Sequence, residues 1–167
     1  LILDGGAISL FAASQFELPK ALLVFTPHQK EWEKLSGLDL ASQTEGKSRR
    51  AVQNFPQGTV IVEKGPHTRI WTSGQDEGYQ LDVGGPYQAT GGMGDTLAGM
   101  IAGFAGQFPQ VSLYERVVVA TYLHSAIAED LSKEAYVVLP TTISQEIPKW
   151  MKKWSDQDQV ASTENRK

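Results

Sequence analysis

The chain has 167 residues, 41% of them hydrophobic and 20% charged, which suits a single soluble domain able to bury a real core. Fifteen basic residues against nineteen acidic ones leave a net charge of −4, which excludes a general nucleic-acid or membrane surface, so that any anionic ligand must be held by a local device. The absence of cysteine removes disulfide and thiolate chemistry and points to a reducing compartment, the cytoplasm.

In chain order, residues 1–4, "LILD", are an apolar run closed by a carboxylate; they read as the inside of a strand, and the chain is expected to be a piece of a longer domain. A helix is predicted over 7–13, a strand over 21–26 ("ALLVFT"), a helix over 29–35 and another over 40–54 with a charged, amide-rich face. Residues 59–64 ("TVIVEK") and 68–72 ("TRIWT") are short, apolar and β-branched, and the Gly65-Pro66 turn between them predicts an antiparallel hairpin attached to a largely parallel sheet. Helices are predicted over 94–106, 112–131 and 142–154; in the second, Val117, Ala120, Leu123, His124 and Ile127 share one face. Residues 155–167 are polar and aperiodic and are expected to form a loosely held tail. Alternation of strand and helix makes the fold class α/β, with one domain over residues 1–154.

The densest chemical signal is "ATGGMGDTLAG". Gly91, Gly92 and Gly94 allow backbone amides to turn toward one point, and a helix beginning at Gly94 or Asp95 adds its unpaired N–H groups and dipole there. Gly91, Gly92, Met93 and Gly94 therefore form a candidate anion hole, a nest that holds phosphate without a lysine. A carboxylate beside such a nest repels its ligand unless it serves as base for a hydroxyl or helps organise a metal, and this makes Asp95 the candidate catalytic residue. The plainer alternative is that Asp95 caps the helix and the glycines form only a turn. No lysine followed by Ser or Thr closes the glycine run and no GxGxxG occurs here, which excludes the commonest nucleotide-loop motifs. The small residues Gly99, Gly103 and Gly106 predict close packing of this helix against a neighbour.

Two further stretches sit at strand ends, where α/β folds place ligand contacts. "KGPHT" (Lys64, Gly65, Pro66, His67, Thr68) offers an ammonium, a sharp turn, an imidazole and a hydroxyl; alone it reads equally as a polar hairpin turn. Thr26, Pro27 and His28 stand at a strand mouth before a helix, where His28 either faces the crevice or is simply solvated. His124 lies on an apolar helix face and is expected to pack or to meet a backbone group. Arg49 and Arg50 belong to an exposed helix and Trp150 and Trp154 to core or oligomer surface, and no metal-ligating cluster is expected.

In this order "LILDGGAI", "VFTPHQKEWEKLSG", "VIVEKGPHT", "GGPYQATGGMGDTLAGMIAG" and "ATYLHSAIAEDL" resemble the carboxy-terminal part of the ADP-dependent NAD(P)H-hydrate dehydratases, within the ribokinase-like superfamily. The resemblance implies a three-layer α/β/α domain, here lacking its N-terminal elements. It also implies repair of hydrated NADH or NADPH with ADP, or ATP, as phosphoryl donor, giving AMP and phosphate from ADP, with Mg²⁺ and a homotetramer. By position, His28 and Asp95 would contact the hydrated dinucleotide, Lys64, Gly65, Pro66, His67, Thr68 and Gly94 would line the adenine nucleotide site, and Asp95 would be the base. Where the family often reads "LDADAL" this chain has "LDGGAI": Asp4 is kept and Gly6 stands in place of the second acidic residue. A small-molecule kinase of the same superfamily and a nucleotide-binding module without catalysis are the alternatives.

Overall fold

The computed structural model describes residues 1–14, 19–76 and 78–164. A mixed five-stranded sheet in the order β1 (Ile2–Leu3), β2 (Val24–Phe25), β3 (Val60–Glu63), β4 (Arg69–Thr72), β5 (Gly78–Gln80) is flanked by helices on both faces. β1, β2 and β3 run parallel, β3–β4 is the antiparallel hairpin expected around Gly65-Pro66, and β5 adds antiparallel to β4. Four of the five strands therefore point the same way.

The pleat sorts side chains into two layers. Val24, Val60, Val62 and Ile70 face Leu97, Ile101, Val117 and Ala120 of α4 (Met93–Gly106) and α5 (Leu113–Leu131). Phe25, Ile61 and Trp71, the alternate positions, face Ile8, Trp32 and Val52 of α1 (Gly6–Ala13), α2 (Gln29–Ser36) and α3 (Glu45–Val52). Each fully buried aliphatic side chain in these layers contributes about 1.5–3 kcal/mol over its exposed state. Because both faces of β3 are covered, all four of its residues are buried, and the apolar run Val60, Ile61, Val62 replaces alternation ahead of Glu63.

A third cluster packs Met93, Leu123, Ile127 and Ile143 between α4, α5 and α6 (Pro140–Glu164). α6 runs through most of the polar stretch read as a tail from residue 155; residues 165–167 lie outside the described residues. Trp150 and Trp154 explain the extension, since they pack on this cluster from α6 and carry the helix onward.

Other elements differ at their ends. The helix expected over 40–54 is a 3-10 turn at Leu40–Ser42, capped by Asp39, and then α3, because Gln43 and Thr44 leave helical backbone between the two. The second strand shrinks to Val24–Phe25, and α4 opens at Met93, ahead of the expected Gly94. β5 and a 3-10 turn at Pro86–Gln88 escape the pattern, since three residues are too few to show a period. The small-residue stripe is corrected: Gly99, Gly103 and Gly106 face open space, and α4 packs through Leu97, Met100, Ile101 and Phe104.

Candidate functional site

Parallel pairing of β1, β2 and β3 places their carboxyl ends on one sheet edge, so residues far apart in sequence meet there. Asp4 leaves β1, Thr26 leaves β2, and Lys64 leaves β3. The Asp4 Oδ1 accepts from the Lys64 ammonium at 2.9 Å and from the buried Thr26 hydroxyl. Lys64 is held in turn by its own amide, which donates to the Pro27 carbonyl at 2.8 Å, and by a parallel bridge to His28. Burial pushes the Asp4 carboxyl up, but the hydrogen bonds from Thr26 and Lys64, the Lys64 charge and the Gly5 backbone outweigh it and leave its pKa below the ordinary value. Asp4 is thus an anion that fixes a cation.

That cation sits under the first turn of α4. A Cβ added at Gly94 would stand 3.5 Å from Lys64 Nζ and 3.7 Å from Asp4 Oδ2, so the helix start and the ion pair adjoin with no side chain between them. Gly92 occupies the cap position with φ 85°, a left-handed conformation that glycine adopts freely. The Met93 amide donates to the Thr90 carbonyl at 3.3 Å, and the Thr96 amide to the Gly92 carbonyl at 3.0 Å. Among the described residues the amides of Gly91, Gly92, Gly94 and Asp95 find no backbone acceptor, whereas that of Met93 is taken. Met93 serves instead through its buried side chain, which anchors the loop in the α4–α5–α6 cluster. Thr90 fastens the loop from the other side by donating to the Val138 carbonyl at 3.1 Å.

Asp95 is the third helical residue. It is exposed, its side chain makes no hydrogen bond among the described residues, and the cap position belongs to Gly92, so the helix-cap alternative does not hold. Its carboxylate is unpaired among the described residues and follows directly on Gly94, the residue of the first turn that adjoins Lys64.

His28 does cap a helix. Its Nδ1 accepts from the amides of Lys30 at 3.1 Å and Glu31 at 3.3 Å, while the Glu31 carboxylate accepts from the His28 amide at 2.9 Å, a closed capping box at the start of α2. Acceptance at Nδ1 assigns the proton of the neutral ring to Nε2. Nε2 lies 3.5 Å from the largely buried Glu31 carboxylate, and the imidazole is 55% exposed, so one face of the ring remains open to a ligand. His28 is thus a helix cap whose ring is also open to solvent.

The "KGPHT" turn is bound to itself: the Thr68 hydroxyl donates to the Gly65 carbonyl at 3.3 Å and accepts from the Gly65 amide at 3.5 Å. Gly65, Pro66 and His67 are exposed along the same edge as Lys64. At Gly6 an added Cβ would meet nothing within 4 Å, so space exists for the acidic side chain this chain lacks. Sequence reasoning left Thr26 without a partner and gave Glu31 no part; the spacing of His28 and Glu31 was the available signal for the capping box. An apolar groove of about 260 Å³ lined by Phe104, Val119, Met151 and Trp154 opens at the far end of α4 and takes no part in this site.

The family described as NAD(P)H-hydrate dehydratase matches residues 1–149. The chain belongs to that family. A Streptococcus pneumoniae relative, an ADP-dependent (S)-NAD(P)H-hydrate dehydratase, is 62% identical over 161 residues, covering 96% of this chain and 56% of that protein. The equivalent Staphylococcus aureus enzyme is 48% identical over 91% of this chain and 53% of its own length. Among solved structures, a ribokinase-like superfamily protein from Enterococcus faecalis superposes with TM-score 0.83 at 47% identity, covering 92% of this chain and 52% of that one. The Bacillus subtilis ADP/ATP-dependent NAD(P)H-hydrate dehydratase, co-crystallised with ATP and Mg²⁺, gives 0.76 at 29% identity over 91% and 54%. The chain spans about half the length of the curated relatives it matches. The expected family and ribokinase-like fold are therefore established.

Proposed function

We propose that this chain carries the nucleotide site and the catalytic base of a repair dehydratase that returns hydrated NADH or NADPH to the reduced dinucleotide, with ADP as phosphoryl donor. The observation that carries the proposal is the fixed Lys64 ammonium adjoining the first turn of α4, a turn whose Gly94 and Asp95 amides find no backbone acceptor among the described residues and which bears the unpaired Asp95 carboxylate. The names of the relatives supply the substrates.

Asp95 takes the proton of the ring hydroxyl as that oxygen attacks the β-phosphorus of ADP, and AMP departs as the bond to its phosphate oxygen breaks. The amides of Gly94 and Asp95 and the Lys64 ammonium meet the charge that develops on the phosphoryl oxygens. The phosphorylated oxygen then leaves as phosphate, the neighbouring ring carbon loses a proton, and the double bond returns. His28 donates from Nε2 to the dinucleotide, while Gly65, Pro66, His67 and Thr68 border the adenine nucleotide.

Mg²⁺, if bound with the nucleotide, would neutralise charge on its phosphate oxygens. Among the described residues no group of three or more carboxylate or imidazole side chains could cage a metal. Such an ion would be held mainly by the phosphates, and Asp4 or Asp95 would be the carboxylates placed to assist it. The same reading carries a homotetramer in the cytoplasm, on the strength of the family resemblance and a cysteine-free composition.

The test is the protein at its full natural length with hydrated NADH, ADP and Mg²⁺: absorbance in the reduced-nicotinamide band should rise and AMP and phosphate should appear in equal amounts. A stable phosphorylated product by phosphorus NMR would replace the dehydratase with a kinase. ADP binding with zero turnover would leave a binding module.

A further inference from the structure

Next to the glycine loop lies a partly buried polar chain that the proposed reaction does not use. Gln88 closes the 3-10 turn just ahead of the loop; its Oε1 accepts from the Gly85 amide at 3.2 Å. That contact assigns the amide nitrogen to the other side, where Nε2 lies 3.4 Å from Ser125 Oγ and 3.4 Å from His124 Nδ1. A donor at Nδ1 puts the proton of His124 on Nε2. His124 is 3% exposed, and its Nε2 is fully buried without a well-formed hydrogen bond among the described residues. The backbone of Met93, the first residue of α4, is near enough to favour the protonated ring, although burial dominates and holds its pKa down at about 4.

The chain therefore runs from Gly85 through Gln88 to His124 and ends at the Nε2 that is unpaired among the described residues, on the side of α5 where Leu123 and Ile127 pack against Met93 at the start of α4. Gln88 Oε1 packs close against Gly84, where a Cβ would stand 2.7 Å from it. A buried N–H without a full partner is costly, and a small advance of the first turn of α4 toward α5 would satisfy it.

We propose that His124, held by Gln88, is a positioning residue that sets the first turn of α4 and thereby the geometry of its anion-binding amides. The inference deepens the proposed function, since ADP is the anion those amides would hold. His124 touches neither nucleotide nor dinucleotide and acts through Met93.

The experiment uses the protein at full natural length, with three variants compared by calorimetry with ADP. His124→Phe keeps an aromatic ring and removes both nitrogens; ADP affinity should fall about tenfold, the scale of one lost buried hydrogen bond. His124→Gln places an amide donor near Nε2 and should recover most of that loss. Gln88→Leu should weaken ADP binding to a similar degree, and combined with His124→Phe should add little further. A His124→Phe protein that melts cooperatively and binds ADP as the parent does would overturn the proposal, as would equal losses in the Phe and Gln variants. If His124→Phe does not fold, the Gln88→Leu affinity decides by the same criterion. A parent protein that binds no ADP would end the proposed function alone. Amide hydrogen exchange over residues 91–95 then decides the strut: faster in the Phe variant and restored in the Gln variant upholds it, and unchanged rates reject it.

Discussion

Replacing Asp95 by Asn separates the two things a carboxylate can do at a helix start. The side chain is exposed, makes no hydrogen bond among the described residues and leaves capping to Gly92, so the substitution removes only its interaction with the dipole of α4. That interaction is worth about 0.3–1 kcal/mol. As the base for a hydroxyl, however, the same group should carry about a hundredfold or more in turnover, equivalent to about 2.7 kcal/mol of transition-state stabilisation. Asn is isosteric and neutral beside the free amides, so ADP affinity should hold or improve slightly as a negative charge leaves the phosphate site. Three measurements on one variant follow: thermal melting, ADP calorimetry, and the rise of the reduced-nicotinamide band with hydrated NADH. Near-parental melting and ADP binding with turnover reduced about a hundredfold fit the reasoning. Near-parental turnover would refute it and return Asp95 to a role in helix electrostatics, and turnover lost in step with folding would assign it to structure.

His28 should show two separable roles. His28→Asn, a good cap, should keep stability while raising KM for the hydrate, whereas His28→Ala should raise KM and also cost about 0.5–2 kcal/mol in stability, measured by denaturant unfolding. Gly94→Ala adds a methyl at ordinary contact distance from Lys64 and Asp4, so it should leave stability unchanged or raise it by up to about 1 kcal/mol, yet weaken ADP binding by crowding the free amides. Asp4→Asn should lower kcat with ADP by loosening Lys64, and it should also flatten acid unfolding. The Asp4 carboxyl is depressed in the folded chain, so its stabilisation is present above the unfolded pKa of 3.8 and is lost as pH falls through the lower folded value. His124 has the same sign at higher pH: neutral when folded, it contributes fully above 6.5 and the contribution drains away toward about 4, a slope that His124→Gln should remove from the unfolding profile.

The sequence by itself determined the elements whose signal is local. β-branched apolar runs marked β3 and β4, the Gly65-Pro66 turn marked their hairpin, and the buried face of α5 was readable from its helical period. Three glycines before Asp95 marked the loop proposed as the anion site, because only backbone freedom is needed to make one. The tertiary structure decided what depends on residues far apart in sequence. Asp4 and Lys64 are 60 positions apart, and nothing local says that parallel pairing of β1, β2 and β3 brings them within 2.9 Å. Whether Asp95 caps or stands free turned on where α4 starts, which the φ of Gly92 and the burial of Met93 fix. The small face of α4 looked like a packing surface and proved open, since helical period shows that a stripe exists and only the neighbouring helices determine which stripe they cover. The polar end of α6 likewise became helix because Trp150 and Trp154 dock on α4 and α5, a packing term that composition cannot express.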